Sequence, residues 1–252
     1  MNLHTLRATA LAALLLPLSA FAGPPVEVEI LDRETGRVLP VYWHDGERHV
    51  AGEPGHEYEI RIRNGGYGRV LAVTSVDGVN VITGRTASPD QGGYVVDPDA
   101  RLDIDGWRKN MDEVAAFYFT ALPDSYAART GRPDNVGVIG VALFCERAVA
   151  PMLERETASA ADAAPAPAQK SAGGSLGSTR EESRLGTGHG QRLDSGAVYT
   201  QFERASETPD EVIRVYYDSH RNLVARGVIP KSWYRFARRL PDPFPEGFVP
   251  DP

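Results

Sequence analysis

Cysteine is almost missing from this chain of 252 residues. Cys145 stands alone, so the fold has no internal disulfide to restrain its unfolded state. Positive charge is also scarce: 27 Lys and Arg face 34 Asp and Glu, a formal net charge of −7. A chain this acidic is a poor general binder of nucleic acid or anionic lipid, since both depend on clustered positive charge. After residue 22 no apolar run approaches the length of a membrane span, and no cysteine follows that could carry a lipid. Catalytic signatures are missing as well. There is no Gly-x-Ser-x-Gly elbow, no His-Glu-x-x-His and no Ser-x-x-Lys. A triad or a pair of catalytic carboxylates assembled in space leaves no such trace, so a hydrolase is not excluded.

What is present begins with an address. In MNLHTLRATALAALLLPLSAFA, a weakly positive start with Arg7 precedes an apolar run over residues 8–22. That run ends in Ala20-Phe21-Ala22, the small-x-small pattern of a signal-peptidase site. Pro17 interrupts it, and it is short for a span. Residues 1–22 are therefore read as a signal peptide, with export to the periplasm or beyond. Loss of Arg7 with the leader makes the mature chain −8. About 230 residues remain, room for one or two domains.

From Val26 to about Arg147 the chain reads as short strands cut by turns. VEVEI alternates Val26, Val28 and Ile30 with glutamates. Asp45-Gly46 and Asp77-Gly78 are two-residue hairpin signals, because both positions must tolerate positive φ. Tyr58, Ile60 and Ile62 alternate with Glu59, Arg61 and Arg63. Ser125–Thr130 reads as one helical turn stopped by Gly131. Nine or ten strand candidates with no long helical pattern between them predict an all-β, antiparallel β-sandwich over residues 23–150. A parallel sheet is not expected, because the gaps are too short for crossover helices.

Residues 151–195 change character, and their Ala/Pro/Gly/Ser composition predicts a disordered linker. GTGHG (186–190) lacks the strand, spacing and Lys-Ser/Thr of a phosphate loop and is discounted. Residues 196–252 are expected to form a short C-terminal strand-helix segment docked on the sandwich, followed by a Pro-rich tail. Val198–Arg204 alternates as a strand that would cover a sheet edge. Thr208-Pro209-Asp210-Glu211 resembles a capping box, and Val212, Val215, Tyr216, Ser219 and Leu223 follow helical spacing up to Gly227.

Three stretches, SVDGVNVITG (75–84), the block over 105–141 and FERASETPDEVIRVYYDSHRNLVARGVIP (202–230), resemble recurring text of exported β-rich proteins of Gram-negative bacteria. The resemblance implies a bacterial periplasmic origin. It carries over no activity and no site residue.

Several residues invite chemistry. If Asp45-Gly46 is a two-residue loop, His44 pairs with Glu47 and Tyr42 with His49. All four then share one face, a set suited to Zn²⁺ or Cu²⁺, or a plain polar outer face. Asp97, Asp99, Asp103 and Asp105 crowd one turn and strand; they suit Ca²⁺, but miss the EF-hand spacing and are also good turn formers. Cys145 shares a strand face with Ile139, Val141 and Leu143 and reads as a small buried hydrophobe. KSWYRFARR (231–239) reads as a strap on the sandwich or as a contact for an anionic glycan or partner protein. No residue is assigned as catalytic, cofactor-binding or metal-binding. The expected function is a non-enzymatic interaction or ligand-binding module of the cell envelope, with an envelope protein or glycan as partner. The alternatives are an envelope hydrolase, with or without metal assistance, and a structural accessory protein docking through its C-terminal segment.

Overall fold

Turn chemistry divides the first half of the chain into strands. β1 (Val26–Asp32) buries Val28 and Ile30 and folds back through Gly36 onto β2 (Arg37–Val38). β3 (Val41–His44) and β4 (Glu47–Gly52) form the Asp45-Gly46 hairpin, whose two loop residues have φ of 51° and 79°. β5 (Glu57–Asn64), β6 (Val70–Val76) and β7 (Val79–Asn80) follow, the last joined to β6 by the Asp77-Gly78 turn. Then come β8 (Tyr94–Val96), β9 (Arg101–Ile104), β10 (Gly106–Arg108) and the long β11 (Glu113–Ala121). The helical turn α1 (Tyr126–Arg129) starts at Ser125, whose hydroxyl accepts from Ala128 N, and precedes β12 (Val138–Cys145). β13 (Leu185–Thr187), β14 (Arg192–Asp194), β15 (Glu211–Ser219) and α2 (His220–Ala225) complete the order. The computed structural model describes residues 26–148 and 184–230.

Among the described residues the strands form two sheets, and every strand pairing but one is antiparallel. The first sheet runs β10-β11-β5-β1-β2, with β9 also on β5 and with β13 and β14 on β11. The second runs β3-β4-β15-β12-β6-β7, with β8 on β6. Val28, Ile30, Tyr58, Ile60, Ile62, Phe117 and Phe119 of the first sheet meet Val50, Val70, Ile139, Val141, Leu143, Ile213 and Val215 of the second in one core. Two smaller apolar clusters cover the outer face of the second sheet. In one, Phe202 packs on Leu71, Val73, Ala142 and Phe144. In the other, Leu223, Val228 and Ile229 pack on Tyr42 and Ala51. Burial on both faces explains why β6 and β12 read as nearly continuous apolar runs.

The single parallel pair is β4 with β15, from Val215↔Arg48 to Ser219↔Gly52. The rule that parallel strands need a helical crossover concerns neighbours in sequence. These two are separated by most of the chain, so it did not apply. β15 lies between β4 and β12 in the middle of its sheet, not at an edge.

Three expectations are corrected here. The helix read from the capping box at 208–211 is strand through Ser219, and helix begins only at His220. Asp210, expected in a first helical turn, instead accepts the Cys145 backbone N–H at 2.7 Å. Val198–Arg204 forms no strand; only Arg204 makes an isolated bridge, with Glu146. Within the span 151–195 expected as a linker, β13 and β14 are paired strands. Residues 149–183, like the predicted leader and the 231–252 tail with KSWYRFARR, lie outside the described residues.

The glycines of GTGHG have a packing reason. A Cβ on Gly188 would sit 2.1 Å from the Tyr118 ring, and one on Gly186 would sit 2.6 Å from Ser125 Cβ. Only bare backbone fits so close to β11, and Trp107 Nε1 donates to Gly188 O at 3.0 Å across that contact.

Candidate ligand groove and buried polar junction

Two polar assemblies stand out, one buried and one open. The buried one joins four elements. The Asp77 carboxylate accepts from Gly137 N and Thr187 N, both at 2.8 Å, and from the Tyr217 hydroxyl. Tyr217 is hydrogen-bonded to Thr187 Oγ1 at 2.7 Å, and Thr187 to the Tyr58 hydroxyl at 2.6 Å. With Asp77 ionised, each hydroxyl must donate one step towards the carboxylate: Tyr58 to Thr187, Thr187 to Tyr217, Tyr217 to Asp77. Burial pushes the Asp77 carboxyl up to about 6, and the hydrogen bonds from Tyr217, Gly137 and Thr187 pull the other way. Burial also holds both tyrosine hydroxyls well above their ordinary range. This junction ties β5, β13 and β15 to the β6–β7 turn. With its hydroxyls buried and mutually satisfied, it is built for position.

The open assembly is a groove of about 720 Å³ at the mouth between the sheets. One wall is β8 with the Gly92-Gly93 approach to it, where a Cβ on Gly93 would lie 2.4 Å from Ala72 O. The other side is Leu102 and Asp103 of β9 with Arg108 of β10, and residues 195–204 cross the groove as a strap between β14 and β15. Backbone bonds from Ser195 N to Asp112 O and from Ala197 N to Met111 O hold one end of the strap, and Ala205 N to Cys145 O holds the other. Between them, Val198 is 87% and Tyr199 91% exposed.

Three arginines in this groove lie over aromatic rings. Arg108 is 5.6 Å from the Tyr94 centroid, Arg69 5.9 Å from Phe202 and Arg204 4.0 Å from Phe144. Their edges hold the walls together. Arg108 donates to the Tyr94 hydroxyl at 3.0 Å and to Ser195 O. Arg204 donates to Pro89 O and Gln91 O, at 3.0 and 2.6 Å. Arg69 is paired with Glu146 and reaches Gln201 O at 3.2 Å. Asp90, Asp97 and Asp103 line the same groove, so its charge is mixed.

The hairpin geometry read from Asp45-Gly46 holds: His44 pairs with Glu47 and Tyr42 with His49. His49 is buried and stacked on Tyr216, with ring centroids 5.5 Å apart, and His44 lies 6.2 Å from it. Burial, with Arg226 and His44 nearby, lowers the His49 pKa. Among the described residues no three His, Cys, Asp or Glu side chains gather as a metal site. Nor do the four aspartates converge: Asp103 is tied to Arg61 and Arg101, while burial raises the pKa of Asp105. Cys145 is half-buried at the end of β12, where burial and Asp210 push its thiol up, away from nucleophilic use. His56 Nδ1 donates to the buried Asp32 carboxylate at 2.8 Å. The pair joins the β4–β5 turn to the end of β1.

Of the groove residues, the sequence had pointed only to Asp97 and Asp103, as part of an aspartate cluster, and to Val198–Arg204, as a strand. Tyr94, Arg108, Tyr199, Phe202 and Arg204 come from three separated segments, and only folding brings them together. No helix among the described residues is long and apolar enough to cross a membrane. Comparison with protein-family models, with curated proteins and with solved structures found no match.

Proposed function

We propose that this chain is an exported, non-enzymatic ligand-binding module of a bacterial envelope, with the groove under the 195–204 strap as its site. The address rests on the composition of residues 1–22 and on the resemblance of 75–84, 105–141 and 202–230 to exported proteins. The observation that carries the binding reading is the groove itself, a cleft of ligand-site size with convergent polar groups and exposed Tyr199 at its rim. Burial of Ile213, Val215 and Tyr217 in the chain's own core supports the binding reading over docking through the C-terminal segment.

Two measurements test the reading. Residues 1–22 fused to a reporter enzyme should deliver it to the periplasm, and retention in the cytoplasm contradicts export. Envelope extracts titrated into isotope-labelled protein should move the amide signals of Gly92–Val95 and Ala197–Thr200. Shifts confined to other surfaces contradict the site.

A further inference from the structure

We propose that the ligand of this groove is a neutral, hydroxyl-rich oligosaccharide that stacks a sugar ring on Tyr199. This inference rests on the binding reading above and names its chemistry. Three other ligand classes fit the walls poorly. An anionic ligand needs uncompensated positive charge, but Arg69 is neutralised by Glu146 and three aspartates line the same cleft. An added β-strand needs free carbonyls along β8 and its approach. Those of Gln91, Gly92, Val96 and Asp97 already accept from Arg204, Asn80 and Asn64. A lipid tail needs an enclosed apolar cleft, whereas charged, amide and hydroxyl groups make up much of this open one.

What the groove offers instead is paired chemistry. A pyranose has a C–H face, which packs on an aromatic ring, and a rim of hydroxyls that both donate and accept. Tyr199 supplies a ring held out at 91% exposure on a strap fixed at both ends. The Asp90 carboxylate lines the same groove as an acceptor, and the Tyr94 hydroxyl, which accepts from Arg108, keeps its proton to donate. The ring-stacked arginines fix these walls before any ligand arrives, which lowers the ordering cost of binding.

The test is a titration of isotope-labelled full-length protein with five probes: chitotetraose, cellotetraose, maltotetraose, a heparin tetrasaccharide and a polar hexapeptide. At least one neutral tetrasaccharide should move the Gly92–Val95 and Ala197–Thr200 signals. Tyr199→Ala should weaken that binding about tenfold, the scale of one lost ring contact, while Tyr199→Phe should retain it. Groove shifts from heparin or the peptide alone overturn the glycan inference and leave the binding reading standing. An unchanged affinity in Tyr199→Ala also overturns it. No groove shift from any probe at millimolar concentration, nor from envelope extracts, defeats both.

Discussion

Residues 26–148 and 184–230 contribute to the same two sheets in opposite ways. The first segment supplies twelve strands, many of them joined to a sequence neighbour by a tight turn. The second supplies three, all of whose partners lie in the first segment: β13 and β14 on β11, and β15 between β4 and β12. Without β15 the second sheet is split, with β4 and β12 exposing unpaired edges and the core losing Ile213, Val215 and Tyr217. A segment that looks like an appendage in sequence is thus a central part of the fold. Within it, the strap at 195–204 behaves differently again, being exposed at Tyr199 and committed to the groove.

This contrast predicts a graded set of effects. The largest belongs to a chain ending at Gly196, which lacks β15 and α2. It should show no cooperative thermal transition and should bind hydrophobic dye, and a native-like transition would mean that β15 is dispensable. Next are substitutions at the junction that holds the two segments together. Asp77→Asn keeps a residue tolerant of the φ of 53° but cannot accept both backbone N–H groups. It should cost about 1–3 kcal/mol in denaturant unfolding, the penalty of one buried unsatisfied donor. Tyr217→Phe should cost a similar or smaller amount, and values near zero for both would remove the junction's structural role.

A smaller effect concerns the first segment alone. The Asp32 hydrogen bond raises the folded pKa of His56 above 6.5, so this stabilisation is present below 6.5 and fades as pH rises through the folded value. Burial alone would raise the Asp32 pKa, but its bonds to His56 and Thr35 leave it below 3.8. Its contribution is therefore present above 3.8 and lost as pH falls through the folded value. The melting-temperature gap between the protein and His56→Gln should be widest between pH 4 and 6.5, the interval bounded by these two ordinary values. A gap that grows steadily towards alkaline pH contradicts the assignment. Asp77 carries the opposite sign: its raised pKa makes it destabilising as pH climbs from 3.8 to about 6. Comparing the His56→Gln difference with the protein removes that background. The smallest effect is expected from Tyr199→Ala, within about 0.5 kcal/mol of the parent in stability, because the ring packs on little.

The same contrast explains what could be read from sequence. Asp45-Gly46 and Asp77-Gly78 announce their hairpins locally, so the first segment and its all-β class were legible. β15 was not, because EVIRVYYDS satisfies two periods at once. Val212, Val215, Tyr216 and Ser219 fit a helix, while Ile213, Val215 and Tyr217 fit a strand. β-Branched and aromatic residues tilt the balance to strand, but the partners that decide it, β4 and β12, are distant in sequence. β13 was taken for linker because the glycines of GTGHG resemble flexible text, when close approaches of Ser125 to Gly186 and of Tyr118 to Gly188 require them. The groove left no motif, since Tyr94, Arg108, Tyr199 and Arg204 meet only after both sheets close.

Native-state hydrogen exchange tests the integration of β15 most directly, by comparing Ile213, Val215 and Tyr217 with Ile139 and Val141 of β12. If the C-terminal strand belongs to the core, these amides share one opening free energy, equal to that of global unfolding. Exchange of β15 through a cheaper opening, with β12 still protected, would contradict the account.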